Sequence, residues 1–224
     1  MEKTLIAATK GLTLLALVVI IFYFTNIGLY KEIIKEDGII ENLTAILLLT
    51  MSIFVLIKVI KSWKKKGGLW IVFNIFLLSG LFFGFGEETS WGQSVFNTTP
   101  SGFFVENNTQ KETNIHNLVI NGVKVNKWIF SYLFSVCFGV YFFLLSLAYK
   151  KASIVKKYVD KLGVPLPKNK QVIAFVLVTL LILTIPEEDK WELWEYLFVV
   201  TFLSILTEPY NSDEKLFPTK NNTH

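Results

Sequence analysis

The sequence predicts an all-α fold: a polytopic helical membrane bundle of about six transmembrane helices, with a short helical extracytoplasmic loop between the third and fourth. Three observations predict it. Of the 224 residues 52% are hydrophobic and 15% aromatic, with 20 Phe, and the mean hydropathy is +0.49; a soluble domain of this length is less apolar. Several apolar runs reach the ~18 residues that mark a membrane span. Lys-rich stretches alternate with those runs, as loops on two sides of a membrane do.

The first span is expected at 11–29. It follows Lys3 and Lys10 as a signal peptide would, but its apolar run is too long and no small-residue cleavage site follows, so it reads as retained. The second is expected at 39–60, with Glu41 and Asn42 in its first turn, and KVIKSWKKKGG then supplies Lys residues and a Gly-Gly turn. The third covers 69–86, a polar outer loop covers 87–127, and the fourth span covers 128–149. After a second Lys-rich loop, a short segment at 172–185 is stopped by Pro186, and a sixth covers 191–206. Tilted spans, spans of a thin membrane and a re-entrant pair all accommodate two such short segments. Residues 1–207 thus form one transmembrane domain, and 208–224 form a polar cytoplasmic tail, frayed as termini are.

Lys placement sets the orientation. With the N-terminus in the cytoplasm and six crossings, 16 of the 22 Lys fall inside. Both termini are then cytoplasmic, and the protein belongs in the plasma membrane. The Lys residues follow the topology, so the net charge of +4 is no sign of nucleic-acid binding. There is no Arg, hence no planar fork for bidentate phosphate or carboxylate recognition. The single cysteine, Cys137, excludes an intrachain disulfide. The sequence carries no signal of oligomeric state.

The acids concentrate on the opposite side: 13 of 18 Asp and Glu lie outside or in the outer turns of the spans. Gly80, Gly84, Glu88 and Gly92 are spaced by four, so they share a face if the third helix continues. Gly80-x-x-x-Gly84 permits close approach of another helix, which turns Glu88 toward protein. Glu87 pairs with Trp91 at i+4 and is expected at the headgroups. Glu188, Glu192 and Glu195 form a second stripe beside Trp191 and Trp194. Acids at a helix start with an aromatic belt explain the first two, whereas Glu195 lies deeper, where an ionisable group is costly.

In the loop, Thr99-Pro100 reads as a helix start. Thr109-x-x-Glu112 matches a capping box, so a second short helix is expected there with Glu112 and His116 side by side at i and i+4. Asn121-Gly122 turns the chain before the fourth span. Apart from the terminal His224, His116 is the only histidine. Carboxylate plus imidazole is a ligand set for Zn or Fe, and an imidazole also serves as general acid or base. Gln93, Asn107, Asn114 and Asn117 add amides suited to supporting such a site.

GEETSWGQ, then TP, then NNTQKETNIHN resembles the signature of an uncharacterised family of prokaryotic polytopic membrane proteins. That family carries Gly-Glu-Glu-x-Ser-Trp-Gly-Gln, usually followed by Arg, then Thr-Pro, then Asn-x-Gln-x-Glu-x-Asn-x-His-Asn. The matching positions run from Gly86 to Asn117, and Ser94 stands where the family has Arg. The resemblance implies a site but no reaction. The Glu-Glu pair is more loosely similar to the Glu-Glu-x-x-x-Arg of CAAX-type intramembrane proteases; here Gly92 holds the Arg position and no second intramembrane His exists.

Two function classes follow. In one, the chain is a membrane-embedded enzyme acting on a lipid or lipid-linked substrate that enters from the bilayer. Glu87, Glu88 and His116 are then catalytic, joined by Glu41 and Glu195. Glu88, Glu112 and His116 hold one divalent metal (Zn or Fe), or an acid–base pair works without one. In the other, the protein is a non-enzymatic cation-binding, transport or scaffold protein whose acids bind a cation or fix the loop to the bundle.

Overall fold

The computed structural model describes residues 2–35, 37–125 and 134–216. The described chain is mostly helical. The first helix, α1 (Glu2–Thr25), starts well before its apolar run and stops at Asn26, whose side chain accepts a hydrogen bond from Leu29 N at 3.1 Å and caps α2 (Ile27–Ile34). The first predicted span, 11–29, therefore crosses a break, because an Asn side chain competes with helix continuation. Next come α3 (Ile39–Ser62) and α4 (Gly68–Glu88), a hairpin joined by the Lys-rich turn, with bounds close to those predicted.

Two short helices of the loop follow, α5 (Gln93–Phe96) and α6 (Gly102–Asn107). The latter starts after Ser101 rather than at Thr99-Pro100. Asn121 and Gly122, at φ 51° and 78°, turn the strand pair β1 (Val119–Ile120) and β2 (Val123–Lys124), the two-positive-φ turn that Asn-Gly favours. The start of the fourth predicted span, up to 133, lies outside the described residues. Its remainder comprises α7 (Phe134–Gly139), a π-helical stretch (Val140–Leu145) and α8 (Ser146–Lys151). The chain then bends by 118° into α9 (Ser153–Leu162). The bundle closes with α10 (Asn169–Leu183) and α11 (Lys190–Thr207).

Three helical stretches are long and apolar enough to cross a membrane, or four if the bent pair counts as one span. Of the two short predicted segments, α10 has 15 residues and α11 has 18, and α11 carries Lys190, Glu192 and Glu195. The shorter one is about 22 Å long at 1.5 Å per residue.

The centre of the molecule is α11, which packs against α1, α3 and α10. Leu193, Tyr196, Leu197, Val200, Ile205 and Leu206 are at most 1% exposed, and the Tyr196 hydroxyl donates to Leu12 O at 3.1 Å. The outward faces are apolar instead of charged: Ile46, Ile53, Val72, Phe76, Leu177 and Leu180 are all exposed. Water would disfavour an apolar surface of that extent, whereas lipid solvates it.

The expectation of a frayed tail is corrected for 208–216. Tyr210 N donates to Leu166 O, Asn211 Nδ2 donates to Val164 O, and Leu216 N donates to Leu206 O. Glu214, 3% exposed, accepts from Trp70 Nε1 at 2.9 Å and from Lys58 and Lys66 Nζ at 3.2 Å each. Lys58 is an ammonium held among helices, and a buried charge requires a partner; the tail supplies it. Gly163, at φ +72°, is required here, because a Cβ would lie 2.2 Å from Trp70 Nε1. Residues 217–224 lie outside the described residues.

Candidate functional site

The site is assembled where α4 ends. Its last turn is closed by Thr89, whose Oγ1 donates to Phe85 O at 2.9 Å. Ser90, Trp91 and Gly92 then take left-handed backbone, at φ 45°, 55° and 79°. Glycine accepts that conformation freely, while two successive non-glycine residues there are strained and need outside support. Support comes from the indole of Trp91, which donates to Glu87 Oε1 at 3.0 Å and lies over Gly86, where a Cβ would sit 2.8 Å from the ring. The helix thus ends at Glu88, and Gly92 does not continue the face of Gly80, Gly84 and Glu88. On that face Gly84 abuts Leu48 of α3, while a Cβ on Gly80 would meet open space.

The other carboxylate oxygen of Glu87 binds the loop. Oε2 accepts from Ile115 N at 2.6 Å and from His116 N at 3.1 Å, and the residue is 6% exposed. Glu87 therefore does not face the headgroups as expected; it is buried as a latch.

The segment it holds is not the predicted helix. Thr109 N and Oγ1 both donate to Asn117 O, Asn108 bridges Leu118, and Lys111 is left-handed at φ 58°. The side chain of Asn108 explains this. Its Oδ1 accepts from Gln110 N and Glu112 N, and its Nδ2 donates to Asn114 O and Oδ1. Backbone groups that a helix would use are met locally, which outcompetes the capping box.

Glu112 consequently turns toward α4. Its Oε2 accepts from Ser90 Oγ and from Asn114 Nδ2, each at 2.8 Å, and Asn114 Nδ2 also donates to Ser90 Oγ at 2.9 Å. Gln93 Oε1 accepts from Thr113 N at 2.8 Å and Thr113 Oγ1 at 3.0 Å, while its Nε2 donates to Lys111 O. Asn117 N donates to Asn114 Oδ1, and its side chain donates to Gln110. Asn107 bonds back to Phe103 O within its own helix. Gln93, Asn114 and Asn117 thus come together as the sequence suggests. Thr113 was missed, and Ser90 and Asn108 carry more of the network than their types announce.

Glu88 faces the other way, into the bundle. It is partly buried and feels, in falling order, the charges of Glu195, Glu192, Glu41 and Glu87. Glu195, on α11, is in attractive electrostatic contact with His116. The latch on Glu87 thus holds the backbone of His116 where its side chain lies within electrostatic range of Glu195. Glu192 and Glu195 share a face of α11, but Glu188 precedes the helix and is exposed, so the predicted stripe shortens to two. Glu41 Oε2 also accepts from Asp37 N at 2.5 Å, at the start of α3.

Two groups emerge from the residues singled out in the sequence. Glu87, Gln93, Glu112, Asn114 and Asn117 form a hydrogen-bonded latch. Glu41, Glu88, Glu192, Glu195 and His116 form an electrostatic cluster beneath it. Among the described residues no group of three or more His, Cys, Asp or Glu is placed to hold a metal ion. Glu112 belongs to the latch. No family model, curated protein or solved structure matches the chain.

Proposed function

We propose that the protein crosses the plasma membrane six times with both termini cytoplasmic, and that its loop-capped cluster transfers protons on a lipid or lipid-linked substrate. The topology is supported by the three or four span-length apolar stretches and by the Lys bias of the loops. Where α10 and α11 cross, the bilayer thins or the flanking charges reach to its surface. The density of signature residues over 86–117 supports grouping the chain with the uncharacterised prokaryotic family it resembles.

One observation carries the chemistry: Glu87 holds the backbone of His116, whose side chain lies within electrostatic range of Glu195, and the charge of Glu195 in turn reaches Glu88. Imidazole and carboxylate in one shielded place can exchange a proton with a bound substrate as general acid and base. In this reading His116 moves the proton, Glu195 holds the imidazole and its charge, and Glu88 is the second acid. Glu87 orients the imidazole through the backbone of residue 116. The apolar outward faces of α3 and α4 give a lipid a route to the cluster from the side.

The test compares membranes carrying wild type, Glu88→Gln, Glu195→Gln or His116→Ala, at matched amounts of folded protein, by lipid mass spectrometry. A species consumed by wild type and spared by His116→Ala is expected, with turnover lowered about 10²–10⁴-fold. Identical lipid profiles in all four would reject the enzyme. The second reading, a non-enzymatic cation-binding or scaffold protein, is favoured by the four carboxylates whose charges reach Glu88.

A further inference from the structure

A second polar site lies where α1, α2 and the turn between α10 and α11 meet, apart from the cluster around Glu88. Two buried polar atoms there have no protein partner among the described residues: the Tyr30 hydroxyl and Glu187 Oε2. Tyr30 is 0% exposed. Its ring stands edge-on to that of Tyr23, with centroids 5.2 Å apart. Both hydroxyls are in electrostatic contact with the Glu187 carboxylate, and Asp189 adds an exposed negative charge within reach of Tyr30. A phenol and a carboxylate oxygen removed from water are each costly when unpaired. The built-in cation next in sequence does not help. Lys190 Nζ donates to Ile185 O at 2.7 Å and stands 5.6 Å from the centroid of the Trp191 ring, and no ion pair reaches Glu187 among the described residues.

We propose that Tyr23, Tyr30 and Glu187 bind one monovalent cation. The ligand atoms are hard oxygens, two from neutral phenols and the rest from a single carboxylate, so one positive charge balances the site. A divalent ion would call for more carboxylates and a fuller oxygen shell. Bound there, the cation ties α1 and α2 to the entry of α11, the helix that carries Glu192 and Glu195. The site is thus a structural neighbour of the proton-transfer cluster and does not depend on that cluster's chemistry.

Thermal unfolding of the purified full chain in detergent tests this, with NaCl, KCl or NH4Cl titrated against N-methylglucamine chloride at constant ionic strength. At least one of the small cations is expected to raise Tm saturably. Tyr30→Phe, which keeps the ring and its packing, and Glu187→Gln are each expected to weaken that response at least tenfold in cation concentration, while Glu88→Gln keeps it. Equal responses to all four salts would overturn the site and leave water as the partner of both atoms. A cation response lost in Glu88→Gln but retained in Glu187→Gln would overturn it by placing the ion in the other cluster.

Discussion

Successive residues of an α-helix point about 100° apart, and at the end of α4 that rotation divides two adjacent glutamates between two surroundings. Glu87 accepts three hydrogen bonds, from Trp91 Nε1, Ile115 N and His116 N. Glu88 meets mainly other carboxylates. The same substitution should therefore have different effects at the two positions. Glu87→Gln replaces one acceptor oxygen by an amide that faces N–H donors, so buried donors lose their partner at a cost of about 1.5–3 kcal/mol. Its Tm should fall, and protease cutting between 97 and 111 should accelerate as the loop lifts. Glu88 accepts none of the loop's hydrogen bonds among the described residues, so Glu88→Gln should leave Tm and the loop's protease resistance nearly unchanged. Equal destabilisation by both variants, measured by thermal unfolding, would mean that Glu88 also holds the loop.

Among elements, α11 is buried along most of its length yet carries two glutamates, and the two ends of the bundle are tied in different ways. The loop end is tied by neutral donors and backbone groups around Glu87 and Glu112. The tail end is tied by charge, with Glu214 between Lys58 and Lys66 and the indole of Trp70. Side-chain exposures of 9% for Lys58 and 4% for Glu214 make that pair a buried one. Removing one member of such a pair costs about 3–5 kcal/mol, while replacing both with apolar groups restores much of it. Glu214→Leu alone should thus lower Tm strongly, and Lys58→Met/Glu214→Leu should recover part of the loss. Ending the chain after Thr207 should destabilise as Glu214→Leu does or more, since Asn211 and Leu216 go too. A truncated protein as stable as the full chain would show that the tail is not part of the bundle.

At the scale of the whole molecule, pH acts on the tail end through Glu208. The Lys168 hydrogen bond, only partly opposed by burial, and the Lys170 contact hold its carboxyl below the ordinary value of 4.5. A lowered folded-state value means that the stabilisation is present in full above 4.5 and is lost as pH falls through the folded value. Acid unfolding of Glu208→Gln should lack the part of the pH dependence that begins below 4.5 in wild type. The pair is partly solvated and screened by salt, so the difference should shrink in high salt. Orientation is tested separately: with Cys137 replaced, a cysteine at position 116 should react with a membrane-impermeant reagent from outside the cell. Reaction only from the cytoplasmic side would reverse the proposed topology.

The sequence by itself determined where most helices lie. The bounds of α3, α4, α10 and α11 fall within a few residues of those expected, because a long apolar run away from water must satisfy its backbone groups within itself, as a helix does. It also determined that the Asn121-Gly122 turn would be tight, and that GEETSWGQ and NNTQKETNIHN would meet. Only the tertiary structure decided how they meet. The helix expected over Glu112 and His116 yielded to Asn108, whose side chain satisfies the same backbone groups from outside the helical register. Glu87 became a latch because the strained turn at Ser90 to Gly92 ends the helix and sets Trp91 against it, Glu112 turned to Ser90 once Asn108 had displaced the expected helix, and the burial of the 208–216 segment followed from a charge on a distant helix. Hydrophobic periodicity is local and survives in the sequence; the partner of a buried polar atom is set by packing between segments far apart in the chain, and no single stretch encodes it.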